Sequence, residues 1–257
     1  MILALDVGNT NITVGCIVSG DIKHVFRIST NNRRSSDEYA IQINNMLQFQ
    51  EIDRKEIEGA VLSSVVPQLT NTFKAAIMQL AGVEVIVVGA GVKTGLNILI
   101  DDPAQLGGDM VATAVGALAI GKLPIIVADF GTATKLFVLN KNGGFIGGAI
   151  LPGLAISMNA LATGTSQLPR IPLEAPEKSI STNTNDCIKS GVIFGAASSI
   201  DGMVRRFEKE LGESALVIAT GGHAPDVYKH CEHEVIYEPH LILRGLYTIY
   251  LKNQKKK

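Results

Sequence analysis

The sequence predicts an α/β protein built as two similar lobes, and three observations predict it. Asp6 and Asp129, Gly8 and Gly131, and Gly20 and Gly143 all share one offset along the chain. An offset kept through a whole strand–turn–strand–turn–strand unit marks an internal duplication. In each half that unit is followed by helical periodicity and then by another apolar, strand-like run, the alternation from which layered α/β lobes are built. Finally, 46% of the 257 residues are hydrophobic and 18% charged, which is enough apolar side chain for ordered cores and argues against disorder. The boundary is placed between residues 118 and 119, giving lobes 1–118 and 119–257 with a central cleft.

In the first lobe, Ile2-Leu3-Ala4-Leu5-Asp6 reads as a buried strand, Val7 to Asn11 as a polar turn with a glycine, and 12–18 as a second strand. Ser19-Gly20-Asp21 turns the chain into a third strand at 22–28, an antiparallel opening. Tyr39, Ile43, Met46, Leu47 and Phe49 mark one apolar face of a helix over 37–49. A strand over 59–66 contains Ser63-Ser64. Pro67 then opens a helix as a first-turn proline, and Gly82 ends it. The continuous apolar run 83–88 predicts a strand buried on both faces.

The second lobe repeats the pattern. A buried strand at 125–129 leads into Phe130-Gly131-Thr132-Ala133-Thr134, a strand at 136–139, the turn Gly143-Gly144 and a strand at 145–150. A helix to about residue 162, a proline-rich irregular stretch at 168–178 and a long helix from Thr184 to Leu211 follow. The strand 215–219 runs into Thr220-Gly221-Gly222, and the last helix, 241–251, carries Leu243, Leu246, Tyr247 and Tyr250. The tail 252–257 reads as a solvated end.

Several function classes are excluded at this level. A formal net charge of −1 gives no electrostatic footprint for nucleic acid. No apolar run is long enough to span a bilayer, and Met1-Ile2-Leu3-Ala4-Leu5-Asp6 is a strand, not a signal peptide. Cys16, Cys187 and Cys231 are odd in number and far apart, which suits reduced thiols in a cytoplasmic protein. His223, His230, Cys231 and His233 form a loose group whose spacing matches no standard zinc pattern, and a polar surface segment explains them. There is no Gly-x-x-x-x-Gly-Lys-Ser/Thr, and Gly89-Ala90-Gly91 lacks the third glycine of a dinucleotide fingerprint.

What remains is chemistry at the repeated turns. A carboxylate at a strand end, followed by a glycine turn with small hydroxyl and amide residues, suits a polyphosphate. Backbone and side-chain donors take the phosphate oxygens, and the carboxylate takes Mg²⁺, a hard cation that prefers such oxygens. On spacing alone Asp6 and Asp129 both fit that divalent role, or hydrogen-bond their own turns. Gly221-Gly222 is a third element, where a flat base could lie against backbone. Phosphoryl transfer also needs a proton acceptor. Asp109, in Gly107-Gly108-Asp109 at the start of an apolar helix over 111–120, is the candidate, with a helix cap as the alternative.

Asp6-Val7-Gly8-Asn9-Thr10-Asn11, Gly107-Gly108-Asp109, Asp129-Phe130-Gly131-Thr132-Ala133-Thr134, Gly147-Gly148-Ala149-Ile150-Leu151-Pro152-Gly153, Thr220-Gly221-Gly222 and Glu238-Pro239-His240-Leu241-Ile242-Leu243-Arg244-Gly245-Leu246 occur in the order seen in type III pantothenate kinases. The chain resembles that family from residue 1 to about 251. The resemblance implies a duplicated actin-like, ribonuclease H-like two-lobe kinase fold with mixed sheets. It also implies ATP-dependent phosphorylation of pantothenate, the first step towards coenzyme A, by a homodimer using Mg²⁺ and a monovalent cation, K⁺ or NH₄⁺. Carried over by position, the phosphate turn is Asp6, Val7, Gly8, Asn9, Thr10, Asn11, Ile12 and Thr13, with Thr132, Gly221 and Gly222 also on the ATP side. Asp109 is the base; Gly107, Gly108, Met110 and Thr184 lie on the substrate side. Asp129 serves the monovalent cation, and Asp6 is the candidate for the divalent one.

The departures fall on the acceptor side. The family usually has arginine where this chain has Met110, a tyrosine where it has Ile100, and threonine where it has Lys135. Methionine cannot form the fork that arginine makes with a carboxylate. The alternative readings are therefore a kinase for another small hydroxylated acid, and a nucleotide-binding or regulatory protein with weak or no pantothenate kinase activity.

Overall fold

A computed structural model describes residues 1–254; the lysines at 255–257, expected to form a solvated end, lie outside the described residues. The first sheet comprises β1 (Ile2–Val7), β2 (Asn11–Val18), β3 (Asp21–Ser29), β4 (Gly59–Ser64) and β5 (Val85–Val87). The second comprises β6 (Asn97–Ile98), β7 (Ile125–Phe130), β8 (Ala133–Leu139), β9 (Gly144–Pro152), β10 (Leu216–Thr220) and β11 (Val235–Tyr237). The helices are α1 (Ser36–Phe49), α2 (Pro67–Ala81), α3 (Gly108–Leu118), α4 (Leu154–Gly164), α5 (Thr184–Leu211), the single turn α6 (Ala224–Val227) and α7 (Leu241–Asn253).

The duplication is a duplication of topology. The first sheet runs β3-β2-β1-β4-β5, and the second, read from one edge, runs β11-β10-β7-β8-β9-β6. Read in reverse and without β6, the second order reproduces the first. In both sheets the first three strands pair antiparallel and the last two join in parallel. Two mixed sheets with helices bear out the α/β class. The short strand β6, which sequence reading missed, pairs in parallel with β9.

The chain forms two compact units. One contains Met1–Leu96, Asp101–Ala119 and the segment beginning at Leu241; the other contains Asn97–Ile100 and Ile120–His240. A cut at 118/119 would leave α7 with the second lobe, whereas α7 packs on α3, β1 and β4 of the first. Its seat is made by small residues. A Cβ on Gly245 would lie 1.7 Å from the Ala112 carbonyl oxygen, and one on Gly116 would lie 2.2 Å from that of Leu241. The α3 and α7 backbones therefore touch, a packing open only to residues without a side chain.

In the first unit, alternation along the strands gives each face of the sheet its own helices. Leu3, Leu5, Val14 and Cys16 join Tyr39, Ile43 and Leu47 of α1 and Phe73 and Ile77 of α2 in one core, where the Tyr39 and Phe73 rings lie 4.5 Å apart. Gly15, the intervening residue, faces Leu243 of α7 instead. The strand expected at 83–88 to be buried on both faces is the edge strand β5, and its residues are only half-buried. A continuous apolar run reports hydrophobicity without saying whether a neighbour covers each face.

α1 starts at a capping box in which Ser35 and Glu38 satisfy each other's backbone N–H groups. In the second unit, Ile126, Ala128 and Phe130 of β7 pack with Ile193, Ile200 and Val204 of α5. By length and composition α5 could cross a membrane, contrary to the expectation of no such run. Its apolar stripe instead fills the core of the second unit.

Candidate active site

In the first unit the ladder between β1 and β2 ends at the pair Val7 and Ile12, leaving residues 8–11 as the turn. The Gly8 N–H donates to the Asn11 carbonyl at 3.0 Å, and the Thr30 hydroxyl donates to the Gly8 carbonyl at 2.7 Å. Asn9, Thr10 and Asn11 are exposed at the tip. Val7 and Ile12 are fully buried, so of the turn residues these two can offer a ligand only backbone groups. Asp6 stands just below the turn, opposite Thr13 on β2 and Ser63 on β4.

The start of α3 comes to the same end of this sheet. A Cβ on Gly108 would sit 3.6 Å from the Ser63 hydroxyl oxygen and 3.1 Å from the Val88 carbonyl. Gly107 occupies the cap position and has no side chain to cap with, so Asp109 falls in the first helical turn rather than at the cap. Its Oδ1 lies 2.5 Å from where a Gly107 Cβ would be. Glycine at 107 thus leaves the space into which the carboxylate folds. Ser63 was not singled out by sequence reasoning. Its side chain is fully buried, and its hydroxyl makes no hydrogen bond to any described residue. A buried polar group without a partner calls for an explanation, and an ion or water is one; the only sequence signal was a hydroxyl at the end of an apolar strand.

The second unit brings its own predicted residues together. Asp129 lies near the end of β7, opposite Lys135 on β8 and Thr220 on β10. The Lys135 Nζ is 3.1 Å from Asp129 Oδ2, with about a fifth of each side chain exposed (20% and 19%). Gly221 follows Thr220 with φ +96°, and a Cβ there would lie 2.6 Å from the Phe130 carbonyl oxygen. The His223 N–H donates to that same carbonyl at 3.2 Å. Thr132 is exposed on the turn, and the Gly221-Gly222 backbone is held against the strand end that carries Asp129.

The remaining expected residues are more dispersed. Thr184 is exposed at the first position of α5, after the Asn183 cap. Met110 is half-buried in the first turn of α3, and Ile100 is half-buried after β6. Of the loose group expected to be surface, only His230 is exposed; His223, Cys231 and His233 are half-buried. His233 has a structural partner instead. Its Nδ1 lies 3.0 Å from buried Asp201, which also accepts the backbone N–H groups of Glu232 and His233. Burial pushes the Asp201 carboxyl up, but these hydrogen bonds outweigh it and hold the group below its ordinary range.

Known proteins resemble this chain in sequence and in fold. The sequence profile of the type III pantothenate kinase family matches residues 2–206. A type III pantothenate kinase from Roseiflexus castenholzii is 40% identical over 99% of this chain and 100% of its own. One from Moorella thermoacetica is 37% identical over 98% of this chain and 100% of its own. Among solved structures, a putative 2-dehydro-3-deoxygalactonokinase from Sinorhizobium meliloti superposes with a TM-score of 0.59, covering 100% of this chain and 99% of that one at 12% identity. That likeness shows the fold, the two-lobe actin-like architecture of sugar kinases.

Proposed function

This chain belongs to the type III pantothenate kinase family, and we infer that it phosphorylates pantothenate from ATP with Asp109 as the base that takes the proton from the acceptor hydroxyl. The observation that carries the assignment is the Asp109 carboxylate itself. It lies in the first turn of α3, over glycine, at the sheet end that also carries Asp6 and the phosphate turn. A positioned carboxylate accepts the hydroxyl proton as the oxygen attacks the terminal phosphorus, a contribution of about 10²–10⁴ in rate. Backbone N–H groups at the exposed tip of the turn and the side chains of Asn9, Thr10 and Asn11 hold the phosphate oxygens. In the second unit, Thr132 and the Gly221-Gly222 backbone are the nucleotide-side residues.

A divalent ion fits the first unit. The Asp6 carboxylate and the orphaned Ser63 hydroxyl opposite it offer the hard oxygens that Mg²⁺ prefers, and when bound the ion neutralises charge on the phosphates. No part of the transfer is assigned to a monovalent cation at Asp129, whose carboxylate already carries the Lys135 ammonium. On the acceptor side, Gly107, Gly108 and Met110 at the start of α3 contribute to the pantothenate subsite, while Thr184, which the family resemblance puts on the substrate side, belongs to the second unit. Met110 makes no ionic contact with the acid, so affinity there rests on the hydroxyl and amide groups. A homodimer is part of the proposal: β9 and α4 leave Ile146, Ile150, Ile156 and Leu161 exposed, apolar surface of the kind a second copy covers. The reaction is placed in the cytoplasm, where three free cysteines stay reduced.

The test is ADP release with ATP, Mg²⁺ and pantothenate. Wild type is expected to show pantothenate-dependent ADP production, and Asp109→Asn to lose about two to four decades of kcat while still binding MgATP. An Asp109→Asn rate within threefold of wild type would remove Asp109 from the role of base. No stimulation by pantothenate would turn the search to other small hydroxylated acids.

A further inference from the structure

We infer that Lys135 is a built-in counter-charge for Asp129, so that this enzyme binds its nucleotide and turns over without the monovalent cation that its family resemblance implies. The inference rests on the kinase reading above and deepens it at the second turn.

The pair is imposed by the fold. Asp129 and Lys135 are direct cross-strand partners in the β7–β8 ladder, so their side chains leave the sheet on the same face within reach of each other. The Nζ–Oδ2 distance is 3.1 Å, and both groups are about four-fifths withdrawn from water. A carboxylate so placed needs a counter-charge, and this one has it in covalent form. A potassium ion on the same carboxylate would sit within a few ångströms of the ammonium, where partial dehydration strengthens the repulsion. The residues present therefore do not fit a monovalent cation site.

The same charge is not a general product of the duplication. In the first unit the residue opposite Asp6 is Thr13, which is neutral. A lysine head is a compact charge with three donors. It can reach an anionic oxygen beside Asp129 while keeping its ion pair, which is the service a bound cation would give.

MgATP binding by calorimetry and pantothenate-dependent ADP release are compared in tetramethylammonium chloride and in potassium or ammonium chloride at equal ionic strength. Wild type is expected to change less than twofold in affinity and kcat between these salts. Lys135→Thr is expected to bind MgATP about tenfold more weakly in tetramethylammonium and to recover with potassium; tenfold corresponds to one charge-assisted contact. Lys135→Met should weaken binding in the same way. A wild-type affinity that rises tenfold or more on adding potassium overturns the inference, and this arm needs no variant to fold. Lys135→Thr binding MgATP as wild type does in tetramethylammonium also overturns it. Absence of pantothenate-dependent ADP release in every salt overturns the kinase reading alone, because the binding comparison still decides the role of Lys135.

Discussion

The two duplicated hairpins have the same strand order but apportion their residues differently. In the first, four residues, 8–11, separate the last ladder pair of β1 and β2. In the second only residues 131–133 separate the pair Phe130 and Thr134, so the turn is one residue shorter. The next turn compensates. Val18 pairs with Asp21 across a tight turn in the first unit, whereas the Asn140 N–H reaches the Gly144 carbonyl across 141–143 in the second. Gly20 and Gly143 thereby regain the common offset. Between the two turns, however, the register is shifted by one. The residue facing the second carboxylate is Lys135, where the offset alone would place Leu136. A one-residue change in a turn moves every following side chain to the other face. Here it converts a neutral partner, Thr13 opposite Asp6, into a cationic one opposite Asp129. Duplication preserved the scaffold and let the chemistry of the two turns diverge.

The sharpest test of that divergence is kinetic. Asp6→Asn is expected to lower kcat/KM by about 10²–10³, the scale of removing one preorganised electrostatic group, while Asp129→Asn, whose charge Lys135 already offsets, should lower it by about tenfold or less. Equal losses in steady-state assays would break the contrast between the turns.

Next in size is a stability effect confined to the first unit. Gly245→Ala forces apart two helix backbones in contact and should cost about 3 kcal/mol. Hydrogen exchange should quicken in β1 and β4 more than in β7 and β10; uniform quickening would show that the units unfold as one.

The counterpart in the second unit is Asp201→Ala. It leaves the Glu232 and His233 N–H groups without their acceptor and should cost about 2 kcal/mol at neutral pH. Because the folded carboxyl titrates below its ordinary value, its stabilisation is present above the ordinary carboxylate range and is lost as pH falls through the folded pKa. The gap between wild type and Asp201→Ala in denaturant melts should therefore close on acidification.

The smallest effect is a readout of both units. Burial pushes the Cys16 and Cys231 thiols up to about 12, whereas Cys187 is exposed. A thiol reagent at neutral pH should label Cys187 at once, half-buried Cys231 more slowly and fully buried Cys16 only through opening. Gly245→Ala should speed labelling of Cys16 and Asp201→Ala that of Cys231, and the reverse pattern would contradict the assignment of those contacts.

Much of this molecule was legible before its coordinates. The offset between Asp6 and Asp129 announced the repeated topology, and the glycines beside Asp109 and Thr220 lie where backbones or a folded-back carboxylate approach too closely for a side chain. The register shift was hidden because two opposite changes in turn length cancel in the numbering. The membership of α7 was hidden for a different reason. Its apolar face says that it packs, not on what, and the deciding residues, Gly116 and Gly245, are silent in a periodicity pattern because glycine has no side chain to contribute. Ser63 was missed because a hydroxyl inside an apolar strand looks like tolerated polarity until its surroundings show that nothing satisfies it.

The seat of α7 also bears on how the chain acquires its structure during synthesis. Domains usually fold in the order in which they leave the ribosome. Here the first unit lacks the helix that covers one face of β1 and β4 until the segment from Leu241 has emerged. The second unit, contiguous from Ile120 to His240 apart from the short strand β6, is complete earlier. The order of maturation is thus inverted relative to the order of translation. The helix that presents Asp109 gains its final support only once the segment from Leu241 has emerged, and a chain stopped short of Leu241 would carry every residue of the proposed chemistry without the support beneath it.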